Sequence, residues 1–174
     1  MDWNNKPQVK KGNAGEAILD EYLIERGIVP YAPVANRAHP FDRLCAKSDK
    51  SKIFIVEVKT KAARTWYPDT GINISHLNDY LNIQNSHTIN VFVAFVDELK
   101  GEIYGNYLNI LMEPKTVEHI SRNGLLKTIK YPLRNPPIIY FPLISMRPLA
   151  TISEDNCAIL MELSTRTYEY AETK

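Results

Sequence analysis

Lys52-Ile53-Phe54-Ile55-Val56-Glu57-Val58-Lys59 is a β-prone apolar run with a glutamate near its end. Side chains alternate between the two faces of a strand, so Glu57 and Lys59 project from one face, about 6.6 Å apart along the strand. A glutamate after four consecutive apolar residues is unexpected, because charged groups are rarely buried unless they are paired or bound to a cation. The stretch therefore predicts a hydrophobic strand that ends in a charged pair.

The residues before this strand predict a helix, a strand and the first arm of a hairpin. An amphipathic helix is expected over 13–26, with Asn13 as its N-cap and Gly27 as its stop. A strand follows over 28–35, and its two prolines favour an edge position. The hairpin consists of a first arm, a polar turn and a second arm, at 41–46, 47–51 and 52–60.

The residues after the strand predict a loop, a helix and two further strands. The loop spans 61–74, and Ser75 caps a short helix over 76–84. Two strands over 89–96 and 102–112 are expected to pair across a polar turn.

The last third of the chain is less regular. A short helix is expected over 114–122, followed by a basic, proline-bearing stretch. Residues 138–144 predict a strand, placed at an edge because of Pro142. Ser153 caps a final helix. This element order predicts one mixed α/β layer domain.

Length and composition agree with a single domain. The chain has 174 residues, of which 44% are hydrophobic and 24% charged, as in globular proteins. We expect one domain over 1–174, with a core at about 12–112 and a C-terminal extension at about 113–174. No apolar stretch approaches the roughly 18 residues that span a bilayer. Since the two cysteines make no disulfide framework and no signal segment is visible, a cytoplasmic, reducing setting is expected.

The charges are unevenly distributed along the chain. Residues 1–64 hold 12 of the 21 lysines and arginines and 8 of the 20 acidic residues, which leaves 9 basic and 12 acidic residues in 65–174. An excess of positive charge in the first part points weakly to an anionic partner, and ordinary surface scatter explains it equally well.

Several common catalytic motifs are missing from the sequence. It contains no glycine-rich dinucleotide or phosphate loop, no HExxH and no GxSxG. Its four histidines and two cysteines show no spacing typical of zinc. The carboxylates around the quoted strand are what remains.

Asp42 belongs to the preceding hairpin arm and lies opposite Glu57 if the turn is centred near Asp49. Two carboxylates, a backbone carbonyl and waters suit Mg²⁺, which prefers oxygen ligands at about 2.0–2.1 Å and keeps several waters. Lys59 would then orient or deprotonate an attacking water, or offset charge on a phosphate oxygen.

The order Glu16, then Pro40-Phe41-Asp42, then Glu57-Val58-Lys59 resembles the PD-(D/E)XK, or restriction-endonuclease-like, nuclease superfamily. The opening Gly12-Asn13-Ala14-Gly15-Glu16 looks most like the first helix of its Holliday-junction resolvases and of some restriction enzymes. The resemblance covers roughly residues 12–96. Phe41, which separates the proline from the aspartate, departs from the pattern.

The resemblance implies a restriction-endonuclease-like αβββαβ core, with a mixed central sheet flanked by helices, and Mg²⁺-dependent cleavage of DNA. Mn²⁺ is an expected substitute for Mg²⁺. Asp42, Glu57 and the Val58 carbonyl would hold the metal, Lys59 would be the catalytic lysine, and Glu16 an outer or second-metal carboxylate. The products would carry 3′-OH and 5′-phosphate ends.

Glu-x-Lys alone is a weak signal, because it occurs four times, at 57–59, 98–100, 113–115 and 172–174. A literal Pro68-Asp69 also precedes Glu98-Leu99-Lys100. Both of those segments predict polar turns, whereas Glu57 and Lys59 end a hydrophobic strand that follows an aspartate-bearing arm and a helix.

Each candidate also has a purely structural explanation. Glu57 and Lys59 fit a same-face ion pair, and Glu16 fits a capping box with Asn13. Asp42 fits a hairpin residue that pairs with Arg43 or Lys52. The joint order, spacing and placement of these residues favour the catalytic interpretation.

Four residues after the strand are candidates for DNA binding, namely Lys61, Arg64, Trp66 and Tyr67. Basic and aromatic side chains together suit contacts with phosphates and bases, and a loop packed onto the core fits equally well. His76 and Tyr80 lie four residues apart on the next helix and are accessory candidates, with a surface histidine as the alternative.

The function expected from these residues is a Mg²⁺-dependent DNA endonuclease, and a homodimer is expected if both strands are cut. The first alternative is a nuclease-fold DNA-binding module without activity. The second is a structural or interaction domain, which predicts no Mg²⁺ binding and no salt-dependent DNA affinity.

Overall fold

The computed structural model describes residues 5–34 and 39–165. The helices are α1 (Pro7–Glu25), α2 (Ile74–His87), α3 (Leu108–Leu111) and α4 (Glu154–Glu162). The strands are β1 (Ile28–Tyr31), β2 (Arg43–Lys47), β3 (Ile53–Thr60), β4 (Asp69–Asn73), β5 (Val91–Asp97), β6 (Glu102–Tyr107), β7 (Lys115–Ile120), β8 (Leu126–Tyr131), β9 (Leu133–Asn135), β10 (Ile138–Pro142) and β11 (Arg147–Thr151).

A six-stranded sheet in the order β1-β2-β3-β5-β6-β11 forms the centre of the fold. The β3–β5 pair is parallel and its other pairs are antiparallel, so the sheet is mixed. One apolar cluster joins α1 to one face, through Leu19 and Leu23 against Phe54 and Val56. A second cluster joins α2 to the opposite face, through Leu77 and other side chains. The protein is thus a mixed α/β fold with a mixed central sheet flanked by helices.

The first helix is longer than predicted. It begins at Pro7 instead of residue 13, and Lys6 is its N-cap residue. Proline is compatible with the first helical turn, where its missing N–H would have no intrahelical partner. The prediction of a capping box formed by Asn13 and Glu16 is therefore wrong, because both residues lie inside the helix. Gly27 ends the helix as predicted, with φ at +69°.

The first strand covers 28–31 of the predicted 28–35, and Ala35 lies outside the described residues. It occupies an edge of the central sheet, as its prolines predict. The predicted hairpin is confirmed: Arg43 pairs with Val56, and Ala46 with Ile53, in the antiparallel β2–β3 ladder.

The segment 61–74 is not entirely a loop, because residues 69–73 form β4. Helix α2 then begins at Ile74, with Asn73 instead of Ser75 at its N-cap position. Strand β6 ends at Tyr107, and the short helix α3 occupies residues that were expected to continue it.

The greatest departures from prediction occur in the last third of the chain. Residues 114–122 were expected to form a helix, but most of them belong to β7, which pairs with β8 in a separate two-stranded sheet. Val117 pairs with Ile129, so tertiary apolar contact supports an extended conformation that local sequence did not indicate.

A three-stranded sheet in the order β4-β10-β9 completes the fold. Strand β10 is central rather than at an edge, because Pro142 is its last residue and pairs with Asp69 at the end of the ladder. Strand β11, which the sequence did not predict, closes the far side of the central sheet against β6. The final helix begins as expected, with the Asn156 amide donating to Ser153 Oγ at 3.2 Å.

None of the helices in the described ranges is both long and apolar enough to span a lipid bilayer.

Close packing between α1 and β3 generates a stability prediction. A Cβ on Gly15 would lie 1.9 Å from Thr60 Oγ1 and 2.8 Å from Thr60 Cβ, whereas a Cβ on Gly12 would meet nothing within 4 Å. Gly15→Ala is expected to lower the free energy of unfolding by about 1–3 kcal/mol, because overpacking forces the helix from the sheet. Gly12→Ala is expected to raise it by about 0.5–1 kcal/mol through helix propensity. Chemical denaturation measures both values.

The matched control is the double variant Gly15→Ala/Thr60→Ala, which removes the Oγ1 and Cγ2 atoms nearest the new methyl group. It is expected to recover part of the stability that Gly15→Ala removes, because the Cβ of residue 60 still lies close to the new methyl group. Equal stability of Gly15→Ala and Gly12→Ala would contradict close packing between α1 and β3 at this point.

Candidate active site

The β2–β3 ladder brings Asp42 and Glu57 together. Arg43 is opposite Val56, so the next position along the register sets Asp42 opposite Glu57. Asp42 Oδ2 accepts the backbone N–H of Val58 at 2.8 Å. The two candidate carboxylates therefore meet at the end of β2, on neighbouring chain segments.

Glu57 is buried at 4% exposure. Burial raises the pKa of its carboxyl group, and the nearby Asp42 carboxylate raises it further, while the Lys59 ammonium and a hydrogen bond from the Tyr80 hydroxyl act in the opposite direction. The net shift of the pKa is upward. A negative charge at Glu57 is therefore only partly compensated by the groups of the protein itself.

Lys59 and His76 lie beside this carboxylate pair. Lys59 Nζ donates to Glu57 Oε1 in a short ion pair. The same ammonium lies 3.4 Å from His76 Nδ1 on α2. Burial lowers the pKa of His76, and the positive charge of Lys59 lowers it further. Both accessory candidates, His76 and Tyr80, thus contact the charged pair from the helix.

Glu16 reaches the same region from α1, although an arginine holds it. Arg43 Nη1 donates to Glu16 Oε2 at 2.8 Å and to the Asp42 backbone carbonyl at 2.8 Å. Its Nε and Nη2 atoms form a fork on the Asp20 carboxylate, each with a contact of 2.9 Å. Burial and the Asp42 charge raise the pKa of Glu16.

Sequence reasoning did not single out Arg43 or Asp20 as site residues. Arg43 directly follows a candidate ligand, and Asp20 lies one helical turn after Glu16. These two positions were the only features of the sequence that could have identified them as site residues. The arginine connects α1 to β2 next to Asp42.

An open cleft of about 610 Å³ gives access to these groups. Its lining residues come from α1, the β2–β3 region and α2, and are Lys6, Gln8, Val9, Glu16, Asp42, Val58, Lys59 and His76. The cleft therefore presents both carboxylate and cationic groups to a ligand.

Within residues 5–34 and 39–165, no three His, Cys, Asp or Glu side chains are arranged as a metal-binding group. The oxygen ligands available where the end of β2 meets β3, here called the corner, are Asp42, Glu57 and the Val58 carbonyl. The Val58 N–H points to Asp42, and the carbonyl of a strand residue faces the same side as its N–H. An all-oxygen set beside a carboxylate with a raised pKa fits a hard divalent cation with several waters.

The DNA-binding candidates follow β3 but have different environments. Lys61 is half-buried, and its backbone N–H donates to the Val96 carbonyl at 3.0 Å. Arg64 forms an ion pair with the fully buried Asp69 and stacks over the rings of Tyr67 and Tyr140. The remaining two candidates, Trp66 and Tyr67, are 41% and 37% exposed.

Asp69 of the rival Pro68-Asp69 segment lies in a strand, not in a turn, whereas Glu98-Leu99-Lys100 does form the predicted turn between β5 and β6, although its glutamate is buried. Asp69 begins β4 and is bound by Arg64 and by the Tyr131 hydroxyl. Glu98 is 2% exposed and pairs with Lys11. Each of the two acidic groups has its own cation, and the two pairs involve different elements of the fold.

No protein-family model and no curated protein sequence matches this chain. Among solved structures, it is similar to Hjc, a Holliday junction resolvase from the archaeal hyperthermophile Archaeoglobus fulgidus. The TM-score is 0.52 at 11% sequence identity, and the alignment covers 77% of this chain and 90% of that chain. The mixed sheet and flanking helices are therefore shared with this Holliday junction resolvase.

The raised pKa of Glu57 predicts a pH-dependent contribution to stability. In the folded state this carboxyl group holds its proton to a higher pH than in the unfolded chain, where the ordinary value is 4.5. The folded state thus binds more protons between those two pKa values, and stability falls as the pH rises through that window. The free energy of unfolding of the wild type relative to Glu57→Gln is therefore expected to decrease from about pH 4 upward.

Urea denaturation without divalent metal across this pH range measures the difference between the two proteins. Glu113→Gln provides the background for replacement of an exposed glutamate. A wild-type advantage over Glu57→Gln that increases with pH would contradict the assigned direction.

Proposed function

We propose that this protein is a divalent-metal-dependent DNA endonuclease that acts inside the cell on phosphodiester bonds. The observation that carries the proposal is the β2–β3 register, which sets Asp42 opposite a buried Glu57 while Lys59 contacts the same carboxylate. The fold shared with an archaeal Holliday junction resolvase supports it.

Asp42, Glu57 and the Val58 carbonyl would hold Mg²⁺ or Mn²⁺. The metal would supply charge stabilisation for the phosphate and a more acidic bound water. Lys59 lines the open cleft and contacts Glu57, so its ammonium would orient the attacking water or offset charge on a phosphate oxygen. Water adds to phosphorus, the bond to the 3′ oxygen breaks, and that oxygen takes up a proton, which leaves 3′-OH and 5′-phosphate ends.

Glu16 lines the same cleft and is the proposed outer carboxylate. Its hydrogen bond from Arg43 also makes it a positioning residue, because the same guanidinium holds the Asp42 carbonyl. A homodimer that presents two such clefts would allow both strands to be cut.

A DNA-binding module without activity is the second candidate. The observation that favours it is the ion pair between Lys59 and Glu57, which occupies an oxygen that a metal would need. In a nuclease, Lys59 would have to release this Glu57 oxygen when the cation binds.

Cleavage of supercoiled plasmid and of linear, single-stranded and branched DNA in Mg²⁺ or Mn²⁺ tests the proposal. Glu57→Gln and Lys59→Ala are expected to reduce the rate by more than about 100-fold, since one removes a metal ligand and the other the adjacent cation. Glu113→Gln and Lys100→Ala alter exposed residues of two other Glu-x-Lys triplets and are expected to cleave at the wild-type rate.

Equal cleavage by the wild type and Glu57→Gln would place the activity elsewhere or expose a contaminant. No cleavage of any of these forms by the wild type, with DNA binding retained, would instead support the non-cleaving module. Absence of both Mg²⁺ binding and DNA binding would favour a structural domain.

A further inference from the structure

Strands β7 and β8 and their turn form an ordered hairpin over residues 115–131, here called the arm. In the described part of the chain these strands make a sheet of their own. Its turn is closed by hydrogen bonds: Ser121 N–H donates to the Leu125 carbonyl at 2.9 Å, and Gly124 N–H to the Ser121 carbonyl at 2.8 Å. Gly124 has a φ of +74°, which the turn requires.

One face of the arm rests on the loop that follows the candidate catalytic strand. The His119 ring lies 5.6 Å from the Tyr67 ring, between centroids, and the Arg122 guanidinium lies 5.0 Å from the Trp66 ring centroid. At the base of the arm, the Tyr131 hydroxyl donates to buried Asp69 at 2.6 Å. Aromatic and polar contacts thus fix the arm beside the loop that follows β3.

The turn end of the arm also carries exposed aliphatic side chains. Ile120 and Leu126 are cross-strand partners, and they are 67% and 66% exposed. Leu125 in the turn is 63% exposed. Three large apolar side chains therefore lie exposed at the turn end of the hairpin, an arrangement typical of a binding surface.

The arm is also basic, although it lies in the acidic part of the chain. It contains Lys115, Arg122, Lys127 and Lys130 against a single acidic residue, Glu118. All five side chains are exposed. Residues 65–174 as a whole contain more acidic than basic residues, so positive charge is concentrated on this element.

We propose that the arm is a second DNA-binding element, in which its cations contact phosphates and its apolar end inserts at a base step of duplex DNA. The inference rests on the proposed function in taking DNA as the partner. A two-stranded β-ribbon fits a DNA groove. Aliphatic side chains that enter between bases unstack them and kink the duplex. The charge of the arm complements a polyanion, and its contacts with Trp66 and Tyr67 join it to the loop that follows β3.

The phosphate contacts are tested by the salt dependence of binding, measured by fluorescence anisotropy on a linear duplex in EDTA. Lys127→Ala/Lys130→Ala is expected to weaken binding about tenfold at 0.1 M salt for each phosphate contact removed, and to reduce the slope of log affinity against log salt by about 0.9 per removed contact. Lys100→Ala/Arg147→Ala removes two exposed cations of the central-sheet region and is expected to keep the wild-type slope. An unchanged slope in the arm variant would overturn the proposal.

The apolar end is tested with a duplex that carries a fluorescence donor and acceptor at its two ends. Wild-type protein is expected to increase energy transfer by bending the duplex. Ile120→Ser/Leu126→Ser is expected to bind with a near-wild-type salt slope but to leave energy transfer at the value of free DNA. The control Ile159→Ser, altered at an exposed position of α4, is expected to bend DNA as the wild type does. Undiminished bending by the Ile120→Ser/Leu126→Ser protein would overturn insertion.

Three further results distinguish DNA binding by the arm from self-association of the chain and from failure of the nuclease proposal. Concentration-dependent self-association that the Ile120→Ser/Leu126→Ser change abolishes would assign the apolar end to a second copy of the chain and overturn the proposal. Absence of any DNA binding by the wild type would overturn both the arm and the proposed nuclease. Metal-dependent cleavage with an arm that does not contribute to binding would overturn the arm alone.

Discussion

The Glu57 carboxylate lies buried at the end of a strand whose four preceding residues are apolar, and the surrounding elements each supply a group that meets it. Asp42 approaches from the segment before β2, Lys59 from β3, and Tyr80 from α2. Since burial and the second carboxylate raise the pKa of Glu57 above its ordinary value, ionising this group costs more than ionising a free glutamate. A bound divalent cation would offset that cost, so the same contacts that make the carboxylate unfavourable also make the corner suitable for a metal.

Arg43 explains how the first helix is coupled to this corner. One guanidinium bonds Glu16 and Asp20 of α1 while it also bonds the Asp42 carbonyl. Its planar, forked donors allow these contacts at once, which a lysine ammonium cannot reproduce with the same geometry. Gly15, the residue before Glu16, lets the helix approach Thr60, the residue after Lys59. The helix is thus held against both ends of the site, by charge near Asp42 and by close packing near Lys59.

The parts of the fold that were predictable are those in which local pattern and tertiary environment agree. The apolar run of β3 and its polar turn indicated the hairpin, and turn position alone indicated that Asp42 faces Glu57. Arg43 was not predicted as a site residue, because a cation after an aspartate looks like ordinary surface charge until the helix is in place. The helix predicted over 114–122 was wrong for a related reason. The extended conformation of this segment depends on pairing with β8 and on contacts with Trp66 and Tyr67, and a local sequence pattern cannot indicate such contacts. Strand β11 is short and interrupted by a proline, so its edge position became evident only from its pairing with β6.

Asp69 gives the second half of the chain a fixed relation to the first. It is fully buried, and its carboxylate accepts hydrogen bonds from Arg64, in the loop after β3, and from Tyr131, at the end of β8. Buried ion pairs contribute little net stability compared with apolar packing, but they strongly penalise arrangements that leave one charge without its partner. The cluster therefore acts mainly on geometry: any displacement of the β8 end from the loop would cost a buried carboxylate one of its donors. Because Arg64 also stacks on Tyr67 and Tyr140, the loop after β3, the three-stranded sheet and the base of the arm are held by one shared set of contacts. A pattern that looks like a turn in the sequence, Pro68-Asp69-Thr70-Gly71, is thus the point at which the cleft-bearing half and the C-terminal half are joined.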